Sequence, residues 1–400
     1  MDKFLEKALS PPFKEWIIKT RRVLHAHPEP SFREYKTQAI LAEVLEELDV
    51  PFKKGLAKTG LLAALTPDHG PCVALRADMD ALPMEERTGL EFSSKNPGFM
   101  HACGHDGHMA MLLGAIRLLK DEELRGGGVK FIFQPGEEGG GGAKTMIEEG
   151  VLEGVSMIFG GHIDRHFPPG KIACDKGLIC AYTDPFTVEI IGQGGHAARP
   201  HETVDCIVVA SLIVMEIQTL VSREIDPTYP TVVTVGEIHG GNAHNCIAER
   251  TVLKGTVRTT NEKIRATILK GLERLVHATG HLHGAKTEFL WHPGYPPVIN
   301  DPTGTAIAHR AASAIVGEEN VVHQRYPSLG GEDFAFYLEK VPGCFVRFGA
   351  QKKGLEGVPA HSPYFDFDES ILPIGAAFLA KVAIEALKEL KGMGKNGSRV

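Results

Sequence analysis

The chain has 400 residues, 43% of them hydrophobic, which suits two or three packed domains and excludes a disordered chain or a small disulfide-stapled fold. Lys and Arg number 43 against 50 Asp and Glu, a formal charge of −7, so there is no excess of positive charge to neutralise phosphates, and neither nucleic acid nor an anionic membrane is expected as a partner. Seven cysteines without a Cys-x-x-Cys pair fit reduced thiols, and the opening Met1-Asp-Lys-Phe-Leu-Glu-Lys7 lacks the cationic start and apolar run of a secretory signal, so a cytoplasmic location is expected.

Apolar residues recur at helical spacing from Phe13 to Leu24 and from Thr37 to Leu48, with Pro28 and Pro30 breaking the chain between them. Short apolar runs then predict strands at Leu61 to Leu65, Cys72 to Arg76, Val129 to Phe133 and Met157 to Gly160, with helices at Gly107 to Leu119 and Gly142 to Glu149. Strands alternating with helices indicate an α/β sheet domain. Past Tyr182 the order changes to strand (Thr187 to Ile191), helix (Val204 to Val221), strand (Thr231 to Ile238), strand (Thr251 to Thr259), helix (Asn261 to Thr279) and strand (Thr287 to Trp291). That β-α-β-β-α-β order is ferredoxin-like and makes a self-contained module. The longest apolar stretch, Cys206 to Val221, is interrupted by Glu216 and Gln218 and falls short of the ~20 residues of a bilayer span, so it reads as a buried helix. After the Pro-rich segment His292 to Pro302, a helix (Thr303 to Val316), a strand (Cys344 to Phe348) and an amphipathic helix (Ile371 to Leu390) resume the first pattern. The expected organisation is an α/β domain over 1–181 and 295–400, interrupted by a satellite over 182–294.

The chemistry concentrates in a few segments. His101-Ala-Cys-Gly-His-Asp-Gly-His108 packs three imidazoles, a thiol and a carboxylate ahead of a helix, a density of ligands that suits a zinc-like ion. Cys103 and His105 can face one ion from a turn, and a thiolate has lone pairs enough to bridge two; the alternative is a helix start capped by Asp106. Glu137 and Glu138 follow an apolar strand, at the edge where α/β enzymes build sites, so that one can bind metal while the other takes a proton; the alternative is a solvated acidic loop. His162 and His361 sit after apolar or turn segments, where a lone histidine is more often structural than a ligand. Asp78 and Asp80, two apart at a strand end, either orient a ligand histidine by hydrogen bonds or cap the turn before Pro83. Cys180, Met157, Phe334 and Phe336 are candidates to line a pocket beside such a site, although such residues are more often plain core.

These motifs together resemble the metal-dependent amidohydrolases that include bacterial hippurate hydrolases, N-acyl-amino-acid aminoacylases and plant hydrolases of indole-acetyl amino acids. The likeness runs from His25-x-His-Pro-Glu-Pro30 through Arg76-Ala-Asp-Met-Asp-Ala-Leu-Pro83, Met100-His-Ala-Cys-Gly-His-Asp-Gly-His108 and Gln134-Pro-Gly-Glu-Glu138 to Gly194-Gly-His-Ala-Ala-Arg-Pro-His201, Gly331-Glu-Asp-Phe334 and His361-Ser-Pro363. It implies a zinc-aminopeptidase-like catalytic domain carrying a ferredoxin-like satellite that makes a homodimer. It assigns Cys103, His105, Glu138, His162 and His361 to a two-metal centre bridged by Cys103, with Glu137 as general base. By the same resemblance His196 reaches the other subunit's active site to stabilise the oxyanion. Asn245 and Arg258 fall where family members hold the substrate, although the usual Asn-Val-Ile-Pro reads Asn245-Cys-Ile-Ala248 here. With Asp80 added, the candidate catalytic set is Glu137, His196 and Asp80. The expected cofactors are two divalent ions, zinc or manganese, with cobalt and nickel as the other ions such ligands accept. The expected reaction is hydrolysis of N-acyl amino acids; N-acetyl-diaminopimelate or a dipeptide would call for the same motifs, and an intact Glu137 beside a full ligand set argues against a non-catalytic binding protein.

Overall fold

The computed structural model describes residues 1–65, 70–124 and 127–396. By its internal contacts the chain divides into two compact units: Met1–Gly177 with Val298–Arg325 and Asp333–Val400, and Leu178–Pro297 with Tyr326–Glu332.

The first unit is built on an eight-stranded mixed sheet. In spatial order its strands are Phe52–Leu56, Gly60–Leu65, Gly128–Gln134, Cys72–Asp78, Val155–Asp164, Gly343–Gly349, Ile172–Ala173 and Val321–Val322. The four strands from Gly128–Gln134 to Gly343–Gly349 run parallel. Parallel strands are covered on both faces, which is why Cys72–Asp78 and Gly343–Gly349 are buried at every position, the buried Arg76, Asp78 and Arg347 included. Helices Pro11–His25, His105–Leu119, Pro302–Val316 and Ile371–Asn396 supply the cover. Pro11 starts the first of these where its missing N–H costs nothing. Several elements escape the sequence reading, among them the helix Lys3–Ala8, the short strands Ile172–Ala173 and Val321–Val322, and the edge strand Phe52–Leu56. The strand contains Lys53, Lys54 and Gly55 and lies at the sheet edge, where exposed lysines discourage pairing with another chain and also erase the apolar signal.

The second unit holds a four-stranded antiparallel sheet in the order Thr231–Gly240, Arg250–Thr259, Tyr182–Ile191, Lys286–Trp291, together with helices Cys206–Thr219 and Glu262–Leu282. This is the ferredoxin-like arrangement expected from the element order. Asp205 and Asn261 cap the helices, each accepting two backbone N–H groups of the first turn. Phe186, Val188, Ile190 and Leu253 from the sheet meet Ile213, Ile217 and Leu272 from the helices in a core of their own. The helix expected to be buried is buried on one side only. Ile207, Val208 and Met215 are exposed, and with the turn Leu220–Glu224 the helix runs 19 residues, long and apolar enough to cross a membrane by length and composition, contrary to the shorter span read from sequence.

Candidate metal centre

Several loops converge at the carboxyl-terminal edge of the parallel strands. Strand Cys72–Asp78 delivers Asp78 and then Asp80, Gly128–Gln134 leads into the turn of Glu137 and Glu138, and Val155–Asp164 carries His162 near its end. His105 opens the helix His105–Leu119 rather than lying in the turn before it. Gly104 caps that helix at φ 92°, a left-handed conformation that costs an L side chain ~1–2 kcal/mol, and thereby bends the chain between Cys103 and His105. His361 adopts φ 62° without being glycine, and its N–H donates to Ala102 O at 2.8 Å. Backbone strain of this kind persists where surrounding contacts enforce it.

Two groups of ligand-type atoms result, each with all members within 4.8 Å: Cys103, His105 and His162, and Cys103, Glu138 and His361. Cys103 belongs to both. Its Sγ lies 3.3 Å from His162 Nε2. Glu138 Oε1 is 3.2 Å from His361 Nε2 and 3.8 Å from His105 Nε2. The ring hydrogen bonds orient both imidazoles: His105 Nδ1 donates to Asp80 O at 2.9 Å and His162 Nδ1 to Ile163 O at 2.7 Å, so each directs Nε2 inward. His105 Nε2 is buried without a hydrogen-bond partner, which costs ~1–3 kcal/mol. A divalent cation relieves that cost, and a thiolate, imidazole and carboxylate donor set suits a borderline ion, so these residues fit a metal.

Electrostatics agree with a site that exchanges protons for cations. Burial pushes the Cys103 thiol up, and Cys103 and Glu138 together hold the His361 imidazole at about 10. Burial disfavours charge on His105, but Asp78 and Asp80 outweigh it and raise the ring well above its usual range. His162 goes the other way, pushed down by burial and by His108 and Arg347, and stays neutral.

A supporting layer surrounds these groups. Asp80 Oδ1 and Oδ2 accept the N–H groups of Glu137 and Glu138 at 3.1 and 3.0 Å, and Ser31 Oγ donates to Oδ2 at 2.6 Å, so Asp80 seats the turn that bears both glutamates. Glu137 is nearly buried and gathers with Glu138 and His105 within 4.8 Å. Glu34, which the sequence reading passed over, accepts from Gly136 N at 3.0 Å and from Phe32 N at 3.0 Å, with Thr59 Oγ1 on its other oxygen. The Phe32 ring closes over the same turn: a Cβ on Gly136, which has φ 67°, would lie 2.8 Å from it. Asp78 pairs with Arg76 at 2.8 Å and with His108 at 2.6 Å; Arg76 in turn holds Asp333 at 2.7 Å and Gln134 at 2.8 Å. His108 joins Asp78 and His105 in a third cluster, but its Nδ1 donates to Asp78 and its Nε2 accepts from Ile163 N at 2.9 Å. Both nitrogens are committed, so His108 supports the site and does not ligate. The signal that could have found it is its place three residues after His105, on the same helix face. Of the residues suggested to line a pocket, Met157, Phe334 and Cys180 are buried; Phe334 packs on Phe345 with ring centroids 4.8 Å apart and belongs to the interior.

The second unit brings His196 and Asn245 together, while Arg258 stands at the far end of the strand that follows the Asn245 loop. The two-residue strands Gly195–His196 and Cys246–Ile247 pair with His196 opposite Cys246, and Ala197 N donates to Asn245 O at 3.1 Å. His196 is exposed, and its Nδ1 accepts from Ala198 N at 3.0 Å, which puts the ring proton on Nε2, free to donate. Arg258 stands on strand Arg250–Thr259, half-buried, with Nε donating to Thr256 Oγ1 at 3.0 Å.

Comparison with known proteins bears on the same residues. Residues 74–385 match the profile of peptidase family M20/M25/M40. The chain is 41% identical to the IAA-amino acid hydrolase ILR1-like 4 of Arabidopsis thaliana, over 99% of this chain and 91% of that one. It is also 41% identical to thermostable carboxypeptidase 1 of Saccharolobus solfataricus, over 93% of this chain and 95% of that one. Among solved structures, a dinuclear metal binding peptidase of the M20 family from Bacillus subtilis superposes with a TM-score of 0.79 at 36% identity, covering 95% of this chain and 99% of the other.

Proposed function

The chain belongs to peptidase family M20/M25/M40, and on that premise we propose that it hydrolyses the amide bond of N-acyl amino acids, using Glu137 as general base at a centre of two divalent ions. The observation that carries this reading is the sharing of Cys103 by two ligand groups, one completed by His105 and His162 and the other by Glu138 and His361, with Glu137 beside them. Cys103, His105, His162, Glu138 and His361 would hold the ions, zinc or manganese by ligand type, which would polarise an amide carbonyl and lower the pKa of water toward neutrality.

The remaining steps fall to side chains. Glu137 takes a proton from the attacking water and returns it to the amine nitrogen as the C–N bond breaks, a shuttle worth roughly 10²- to 10⁴-fold in rate. Asp80 fixes Glu137 and Glu138 through their backbone N–H groups, so the base and the carboxylate ligand keep their relative places. The Nε2–H of His196, contributed in trans by a second subunit, serves as the donor to the oxyanion. Arg258 grips the α-carboxylate of the amino-acid product, a role its planar fork suits, and Asn245 holds another part of the substrate. The homodimer is supported by the exposed Ile207, Val208 and Met215 and by the strand Thr231–Gly240, which is paired on one side only and exposes Ile238. Sedimentation equilibrium tests it, and a monomer at assay concentration would sink it.

A second reading, carboxypeptidase or dipeptidase action, is supported by the equal identity to the carboxypeptidase. Both reactions release an amine that bears an α-carboxylate, so the same Arg258 serves either. Release of free amine from benzoyl-, acetyl- and indole-acetyl amino acids and from dipeptides, by protein stripped with chelator and reloaded with zinc or manganese, separates them. In that assay Glu137→Gln is expected to lose at least a hundredfold in kcat while binding metal as before. Turnover that survives the change removes Glu137 from the role.

A further inference from the structure

Arg21 lies on the helix Pro11–His25, in none of the loops that carry ligands, and its side chain is 1% exposed. A guanidinium taken out of water is costly unless every donor finds an acceptor, and here three carboxylates meet it. Nε reaches Asp106 Oδ2 at 2.7 Å, Nη2 reaches Asp366 Oδ1 at 2.9 Å, and Nη1 reaches Glu369 Oε1 at 3.2 Å. The rings of Phe367 and Phe92 cover its faces, at 4.3 and 5.0 Å from the guanidinium carbon.

The sources of those carboxylates matter more than their number. Asp106 follows His105 directly in the helix that opens after Cys103, whereas Asp366 and Glu369 lie on the segment that runs from His361 into the last helix. At the site the two segments meet through the backbone bond from His361 N to Ala102 O and through the side chains of Cys103 and His361, and Phe367 packs close against Gly107 of the helix. On the side away from the ligand atoms Arg21 is the common partner of both. His25 Nδ1, at 2.8 Å from Asp106 Oδ2, and Lys352, paired with Asp366, brace the same carboxylates from either end.

We infer that Arg21 is a positioning residue for the two-metal centre: by holding Asp106 together with Asp366 and Glu369, it fixes the separation between Cys103 and His105 on one segment and His361 on the other. The inference rests on the ligand assignment made above. A lysine at this position keeps the charge but has no planar fork, so it cannot hold carboxylates from two segments in fixed directions. Residues that orient metal ligands from behind typically matter by 10- to 100-fold in metal affinity.

The test is Arg21→Lys in the full chain, measured by chelator competition with zinc and with manganese and by the absorption of the cobalt-loaded protein, whose thiolate band reports Cys103. Arg265→Lys is the control, because Arg265 makes a comparable two-bond pair with Asp184, at 2.7 and 2.6 Å, within the other unit. Arg21→Lys is expected to weaken metal binding by about 10- to 100-fold and to shift the cobalt spectrum, while Arg265→Lys changes neither. If Arg21→Lys folds and binds both ions with the wild-type Kd, the positioning role is wrong. Should it fail to fold, Glu369→Gln carries the test from the solvent-facing end of the cluster: about a threefold loss of metal affinity supports the role, and an unchanged Kd refutes it. Metal binding left unchanged by Cys103→Ala would refute the ligand assignment itself, a result distinct from either.

Discussion

Replacing Glu34 with Gln is expected to stabilise the metal-free protein progressively as pH rises. Glu34 is fully buried behind the turn that carries Glu137, and burial, with Asp80 adding to it, outweighs the hydrogen bond from Thr59 and raises its carboxyl from an ordinary 4.5 to about 7. A carboxyl raised in the folded state holds its proton more tightly there than in the unfolded chain. Its contribution to stability is therefore full below 4.5, declines as pH rises, and is lost above about 7. At about 1.4 kcal/mol per pH unit, the interval from 4.5 to about 7 amounts to ~3 kcal/mol. Glutamine has the shape of the protonated acid: its Oε1 can keep the N–H groups of Phe32 and Gly136, and its Nε2 can donate to Thr59 Oγ1. Urea unfolding of both variants in chelator, at pH 5 and pH 8.5, isolates the effect, because all other titrating groups cancel between them. The advantage of the glutamine variant should grow by ~2–3 kcal/mol across that range. An advantage that does not change with pH would refute the assignment of a buried, proton-retaining carboxyl behind the turn.

Two further outcomes follow from the site. Asp80→Asn keeps the volume but turns one acceptor of the Glu137 and Glu138 N–H groups into a donor; metal affinity is expected to fall by about 10- to 100-fold and kcat to fall further, with wild-type values in both counting against the seating role. Metal uptake near pH 7 should release protons, because His361, raised to about 10, His105, raised well above its usual range, and the Cys103 thiol, pushed up by burial, are all protonated in the metal-free protein. Affinity should then rise by about one log unit per pH unit for each proton released, and calorimetry in buffers of different ionisation enthalpy that finds no proton release would contradict this.

Much of the candidate site was legible because its residues stand in dense local motifs. His101 to His108 and Glu137-Glu138 announce ligands by type and spacing, and the apolar runs before Asp78 and Glu137 announce parallel strands that end where α/β folds build sites. The satellite's element order was enough to give its topology, since six short elements in β-α-β-β-α-β order admit few right-handed arrangements. Glu34, Arg21 and Ser31 were not legible as part of the site. Each lies in a segment with no ligand signature, and each matters through what it contacts from far along the chain: Gly136, Asp106 and Asp80 respectively.

The division between the two kinds of information has a physical basis. Composition, periodicity and motif chemistry are properties of neighbours in the chain, so the sequence by itself determined the α/β and ferredoxin-like classes and the residue types able to bind metal. Which Nε2 faces inward, which histidine is already committed, and that Cys103 stands in both ligand groups depend on backbone bonds from Asp80, Ile163 and Ala102 that only folding brings into range. The exposed side of the helix Cys206–Thr219 was decided in the same way: every apolar residue in it looks suited to a core, but a helix packed on one sheet can bury only one face, and the other meets solvent or a second molecule.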